Sequence, residues 1–173
     1  MLIRVLSLDL SLASTGWAYT FGQARGIPNF GLIKTNPKFS HSERLAFFRN
    51  ELTKLLQEFR PTFVVIEDVY SGINKNTLVS LSEVRGIAME TCFSVSAVEP
   101  YVINTNTVKS FFKVKNKKEL FDVIVDILEW EGASFEKHND LTDACAQLMA
   151  YYQDVLKYRK IREEKDYGFL YEV

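Results

Sequence analysis

The chain has 173 residues, 47% of them apolar and 25% charged, with a net charge of −1. That balance excludes a disordered chain and fits one globular domain with its own core. No apolar stretch is long enough to span a bilayer, and the first residues lack the build of a signal peptide. The apolar run begins at once, holds Asp9 and shows no small-residue cleavage site, so a cytoplasmic setting with no membrane partner is expected. Cys92 and Cys145 have no CxxC or Cys/His spacing and read as buried thiols in a reducing compartment.

In chain order, residues 2–9 are predicted to form a strand, near-continuously apolar. Residues 16–21 and 27–34 are predicted as two more, with Gly22 and Gly26 suiting hairpin-type connections. Residues 41–59 carry Leu45, Phe48, Leu52, Leu55, Leu56 and Phe59 at helical spacing, and Pro61 closes that helix. "TFVVIED" at 62–68 is a buried-strand candidate, followed by the turn-rich "SGINKN". A helix over 77–93, weakened by Gly86, leads to a short strand at 98–104, where Pro100 suggests an edge position. Helices are expected over 106–112, 117–130 and 139–162, and the final "DYGFLYEV" shows no period. The order implies three antiparallel strands followed by two parallel ones joined through helical crossovers. The expected domain is α/β, a mixed five-stranded sheet flanked by helices on both faces.

Four acids stand out by position. Asp9 ends the first strand, inside an apolar run where a lone carboxylate is costly. Glu67 ends the fourth, at the carboxyl edge where α/β sheets place ligands. Asp140 and Asp143 lie three apart in "HNDLTDACAQLMAYY" and share one helix face. Taken singly, each has an ordinary structural explanation: turn hydrogen bonds for Asp9, a strand end for Glu67, an N-cap and a first-turn acid for Asp140 and Asp143. Taken together, the expected fold puts Asp9 and Glu67 on adjacent strand ends with the last helix across them. Carboxylates so close cannot all stay ionised without a cation. Oxygen-only ligands suit Mg²⁺ or Mn²⁺, and two such ions roughly 3.5–4 Å apart are the usual device for attack of water on a phosphodiester. A second charge feature is the run Lys109, Lys113, Lys115, Lys117 and Lys118, free of acids. It reads either as a solvated face or as a local anion-binding surface.

Four blocks in the same order and spacing carry a family resemblance: "DLSLASTGW", "EDVYSGIN…EVRG", "TVKSFF" and "DLTDACA". From about residue 3 to residue 152 the chain resembles the RuvC-type Holliday junction resolvases, which have the ribonuclease H-like fold. The resemblance implies metal-ligand and catalytic roles for Asp9, Glu67, Asp140 and Asp143. It implies DNA contacts for Lys109 and for Lys117 or Lys118, and a junction-wedging role for Tyr70. Asn74, in the same block, is expected to contact DNA as well, and Arg85 suits either a phosphate contact or a helix cap. Leu10-Ser11 replaces the usual Pro-Gly, and "KSFFKVKNKK" lacks the usual glycine-rich turn. Those departures look more like the phage or viral branch, which tends toward broader branched-DNA substrates.

The expected protein is a single nuclease domain over residues 1–160 with a tail, 161–173, of unassigned role. It would cut four-way junctions symmetrically as a C₂ homodimer, with two Mg²⁺ (or Mn²⁺) ions per site and no small-molecule cofactor. The helix stripe Leu78, Leu81, Val84 and Ala88 is either the subunit contact or ordinary packing on the sheet. Flaps and three-way junctions are the alternative substrates. An actin-like ATPase would need two such domains, for which the chain is too short, and a non-catalytic junction binder would gain by losing the four acids. His138, before the last acids, reads as a cap or surface residue, and His41 as a helix-entry residue.

Overall fold

The structure is a computed structural model that describes residues 3–22, 28–68 and 74–152. Tyr70 and everything beyond residue 152, including the expected tail and the end of the last helix, lie outside the described residues.

Strands β1 (Arg4–Asp9), β2 (Ser14–Phe21) and β3 (Asn29–Lys34) form the antiparallel half of one five-stranded sheet. Helix α1 (His41–Phe59) then crosses to β4 (Phe63–Glu67), which lies parallel to β1. Helix α2 (Lys75–Ser96) crosses to β5 (Tyr101–Ile103), parallel to β4. Strand order is β3-β2-β1-β4-β5. This is the mixed sheet expected of a ribonuclease H-like domain, and β5 holds the edge position that Pro100 suggested. Helices α3 (Thr105–Phe112), α4 (Lys117–Ile127) and α5 (Phe135–Ala150) complete the chain.

Strand periodicity divides the core in two. On β1, Leu6 and Leu8 point to one face, where Phe48, Leu52 and Leu56 of α1 and Val84, Ala88 and Cys92 of α2 cover them. Val5, Ser7 and Asp9 point to the other face, under α5. There Val5 and Val65 pack with Ala144, Cys145 and Leu148, and α4 adds Leu120 and Ile124. Burial pushes both thiols up to about 12, so each behaves as an inert apolar side chain.

Of the two readings of the α2 stripe, packing is the one the structure shows: Val84 and Ala88 are fully buried in the layer that covers Leu6 and Leu8, with Leu81 beside them. The large apolar residues that α2 turns outward are Val79, Phe93 and Val95. One expectation needs correction. The last helix begins at Phe135, not at residue 139, so Asp140 is neither an N-cap nor in the first turn. Ser134 occupies the N-cap, and its amide donates to Nδ1 of His138 at 2.9 Å. His138, its ring tilted against that of Trp130 with centroids 4.7 Å apart, is thus a capping residue. His41, at the start of α1, pairs with Glu83 of α2 at 2.6 Å.

Candidate active site

The carboxyl ends of β1 and β4 lie side by side. Their last paired positions are Leu8 and Ile66, and one step further stand Asp9 and Glu67. By strand alternation both acids lie on the α5 face, because Ser7 and Val65 precede them by two. Helix α5 runs over this face with small residues, which lets it come close. It comes very close at Gly16 of β2, where an added Cβ would stand 2.0 Å from the backbone oxygen of Asp140. Only glycine fits there, and this seats the helix segment that carries Asp140 and Asp143. One turn further on, Ser7 donates from its hydroxyl to Oε1 of Gln147 at 3.2 Å, with both groups buried. Along β1, then, Val5 meets apolar residues, Ser7 meets Gln147, and Asp9 meets Asp143.

The turn after β1 is held by Thr15, whose hydroxyl donates to the Ser11 carbonyl at 2.8 Å and accepts from the Ser11 amide at 3.2 Å. These contacts fix the end of β1 without engaging the Asp9 carboxylate, leaving that group for the cluster.

Asp9 and Asp143 are both buried, while Glu67 and Asp140 are half-buried. The carboxyl of Asp9 is held well above the usual carboxylate range, first by burial, then by the charges of Asp143 and Glu67. Glu67 is close enough to share a hydrogen bond with it. Asp143 is raised by burial, and Lys117 opposes that shift while Glu67 and Asp140 add to it. These are mutual repulsions among acids gathered from β1, β4 and α5.

The cation that answers them is Lys117, the first residue of α4. Its Nζ stands 2.5 Å from Oδ2 of Asp143, an oxygen that is buried without a hydrogen bond of good geometry. Burial would lower the ammonium pKa, but Asp143, Asp9 and Glu67 together hold it above the ordinary lysine value. A lysine at a helix N-terminus opposes the helix dipole, so the acids, not α4, account for its position.

Of the other lysines, Lys118 turns away, pairing with Asp122 at 2.6 Å and lying near the rings of Phe121 and Phe135. Lys109 sits in the last turn of α3 with no ion pair among the described residues. Arg85 reaches Asp68, beside Glu67, at 3.0 Å. Asn74 caps α2 through the amide of Thr77. The structure therefore brings together Asp9, Glu67, Asp143 and Lys117 with Asp140 beside them, and leaves Lys118 outside the cluster.

Sequence reasoning passed over three contributors. Thr105, at the start of α3, donates its hydroxyl to Oε1 of Glu67. Gln147 lies four residues after Asp143 and therefore on the same helix face. Gly16 was visible only as part of the Thr-Gly-Trp block. Neutral residues of this kind acquire a role only from what they touch, and only the helical spacing of Gln147 was a usable signal.

A mixed five-stranded sheet with carboxylates converging at the ends of its central strands defines an α/β domain of the ribonuclease H-like class. Within that class the match is specific: residues 5–147 fit the model of the family described as crossover junction endodeoxyribonuclease RuvC. The chain belongs to the RuvC family. It is 30% identical over 147 residues to the RuvC of Rickettsia akari (strain Hartford), covering 82% of this chain and 92% of that protein. The fold superposes on the Thermus thermophilus RuvC structure with a TM-score of 0.70 at 20% identity, covering 86% of this chain and 93% of the other. It matches T. thermophilus RuvC in complex with a Holliday junction substrate at a TM-score of 0.68 and 19% identity, covering 86% and 92%. Among the described residues, no helix is long and apolar enough to cross a membrane.

Proposed function

We propose that this chain is a divalent-metal-dependent endonuclease that resolves Holliday junctions. The observation that carries the reading is the gathering of Asp9, Glu67 and Asp143 around one lysine, on the face where β1, β4 and α5 meet. The donor set is oxygen-only and its charges repel, which fits hard divalent ions. Among the described residues no three such side chains already stand in a metal-ligating array; the acids are arranged about an ammonium instead.

Asp9, Glu67 and Asp143, with Asp140 adjoining, would hold two Mg²⁺ ions, for which Mn²⁺ would substitute. Bound there, the ions would supply activation of water and stabilisation of the departing 3′ oxygen. The chain's own residues set the stage for that chemistry. Thr105 holds one oxygen of Glu67 and so orients the other toward the cluster. Gly16 and Gln147 fix the depth and rotation of α5, and with them Asp140 and Asp143. Lys109, Lys117 and Lys118 are the phosphate-binding candidates, together with Asn74 and Arg85, and Tyr70, outside the described residues, would take the junction-wedging role. Phosphate contacts of this kind dominate affinity and make it salt-sensitive.

A four-way junction is two-fold symmetric, so a C₂ pair of chains would cut opposing strands. The outward side of α2, with Val79 and Phe93 exposed, is the surface we assign to that contact. Residues 1–160 would act as one nuclease domain in the cytoplasm.

The test is a gel assay on a four-way junction, a flap and a linear duplex, with and without Mg²⁺. Paired symmetric nicks in the four-way junction, only with the ion, are expected. Preferential cutting of flaps would shift the substrate to the broader branched-DNA alternative. Binding without cutting under all conditions would overturn the nuclease reading.

A further inference from the structure

From this cluster we infer that Lys117 is an internal surrogate cation, which holds the acids in register in the metal-free protein and must leave for divalent ions to bind. The inference rests on the metal-site reading above and deepens it.

Three observations meet here. The ammonium of Lys117 is in direct contact with Asp143, at 2.5 Å. Its charge is also felt by Asp9, which in turn feels Asp143 and Glu67. The contact is taken with Oδ2 of Asp143, the one carboxylate oxygen of the cluster that is buried without a proper hydrogen bond. A monovalent, chain-borne cation thus offsets part of the repulsion among the acids, and no three of them are arrayed for a metal as they stand.

A divalent ion drawn to the same oxygens and the ammonium cannot both keep them. Two like charges at such a spacing repel strongly in a partly dry site. Lysine suits the exchange, because its charge sits on a flexible four-carbon stem. Half of the Lys117 side chain is already open to solvent, so an outward path exists. Competition of this kind is a negative coupling between two cations, and such couplings are typically about 5- to 150-fold. Once displaced, the ammonium stays tethered at the rim of the site, where an incoming phosphate would meet it. On this account Lys117 is a positioning residue in the free protein, and it links metal loading to substrate arrival.

The experiment is a calorimetric titration of Mn²⁺ into the full chain without DNA. Lys117→Met should bind the ion about tenfold or more tightly than wild type. Lys115→Met removes the same charge from an exposed neighbour and should change affinity by less than about twofold. Equal affinity for wild type and Lys117→Met would overturn the inference and leave the metal site standing, provided Asp9→Asn abolishes binding. Wild-type binding by Asp9→Asn would sink the metal-site reading and this inference with it. A readout independent of any variant is amine acylation of the wild-type chain, followed by peptide mass spectrometry. Saturating Mg²⁺ should speed labelling of Lys117 and leave Lys115 unchanged; unchanged labelling of Lys117 contradicts displacement.

Discussion

The two faces of the sheet are built from the same strands and do opposite things. Under α1 and α2 the contacts are between large apolar side chains, among them Leu6, Leu8, Phe48, Leu52 and Ile66. Under α5 the buried residues include Thr142, Asp143 and Gln147, and the helix lies close because Ala144, Ala146 and Gly16 are small. One face holds the domain together through burial. The other gives up burial toward the strand ends to gather charge. On β1 the change occurs within five residues, from Val5 through Ser7 to Asp9. The first layer should therefore govern stability and the second activity.

Substitutions can break that contrast or sharpen it. The largest effects are expected at the acids. Glu67→Gln or Asp143→Asn should lower junction cleavage by at least about 100-fold, measured in single-turnover assays. Thermal stability without metal should not fall for Glu67→Gln, since a repulsive charge is removed. On the opposite face, Phe48→Ala should cost about 3–5 kcal/mol by denaturant unfolding, with cleavage per folded molecule preserved. If Phe48→Ala impairs cutting as severely as an acid variant does, the division of labour is wrong.

Gly16→Ala bridges the two behaviours. The new methyl would meet the backbone of Asp140, which cannot rotate aside. A loss of about 1–3 kcal/mol is expected, together with reduced cleavage, because the helix that carries Asp140 and Asp143 must shift.

Protons give a smaller effect, with a defined sign. Asp9 and Asp143 are raised above their ordinary value of 3.8, so above that pH the folded state keeps protons that the unfolded chain has lost. This contribution to stability is fully present below pH 3.8 and is lost as pH rises through the raised values. Melting curves in chelator should show that loss, and added Mg²⁺ should offset it increasingly over the same window. A stabilisation by Mg²⁺ that does not vary with pH would contradict the assignment. The smallest effect is expected at Thr105: Thr105→Val should cost about 0.5–1.5 kcal/mol and lower the cleavage rate modestly, with Thr105→Ser restoring the rate.

Much of this architecture is legible in the sequence, for physical reasons that also mark where legibility stops. Strands β1 and β4 declare themselves through dense apolar runs, and α1 through an apolar stripe sustained over its whole length. Pro100 places β5 at an edge because it has no amide to donate. The stripe on α2 shows the opposite case. Its period announces that Val84 and Ala88 are covered, but periodicity says nothing about what covers them, and the cover is α1 together with the sheet face of Leu6 and Leu8. The start of α5 was missed because its cap is made by the ring of His138 four residues on, not by a Ser134 side chain. Asp9 and Glu67 could be picked out by their positions at strand ends, and Asp140 and Asp143 by their three-residue spacing, although both lie inside α5 and not at its start. The choice between Lys117 and Lys118 could not, since adjacent residues on a helix point about 100° apart and only the packing of α4 on α5 decides which one faces the acids. Thr105 carried no signal at all, because a hydroxyl is unremarkable until a carboxylate lies against it.

The most direct single measurement is the behaviour of Asp9→Asn on a four-way junction in Mg²⁺, with binding and cleavage followed in the same samples. Junction affinity close to wild type with cleavage abolished is the expected result. Cleavage at the wild-type rate would mean that the buried carboxylate at the end of β1 plays no part in the chemistry, and the assignment of this cluster as the catalytic centre would fail.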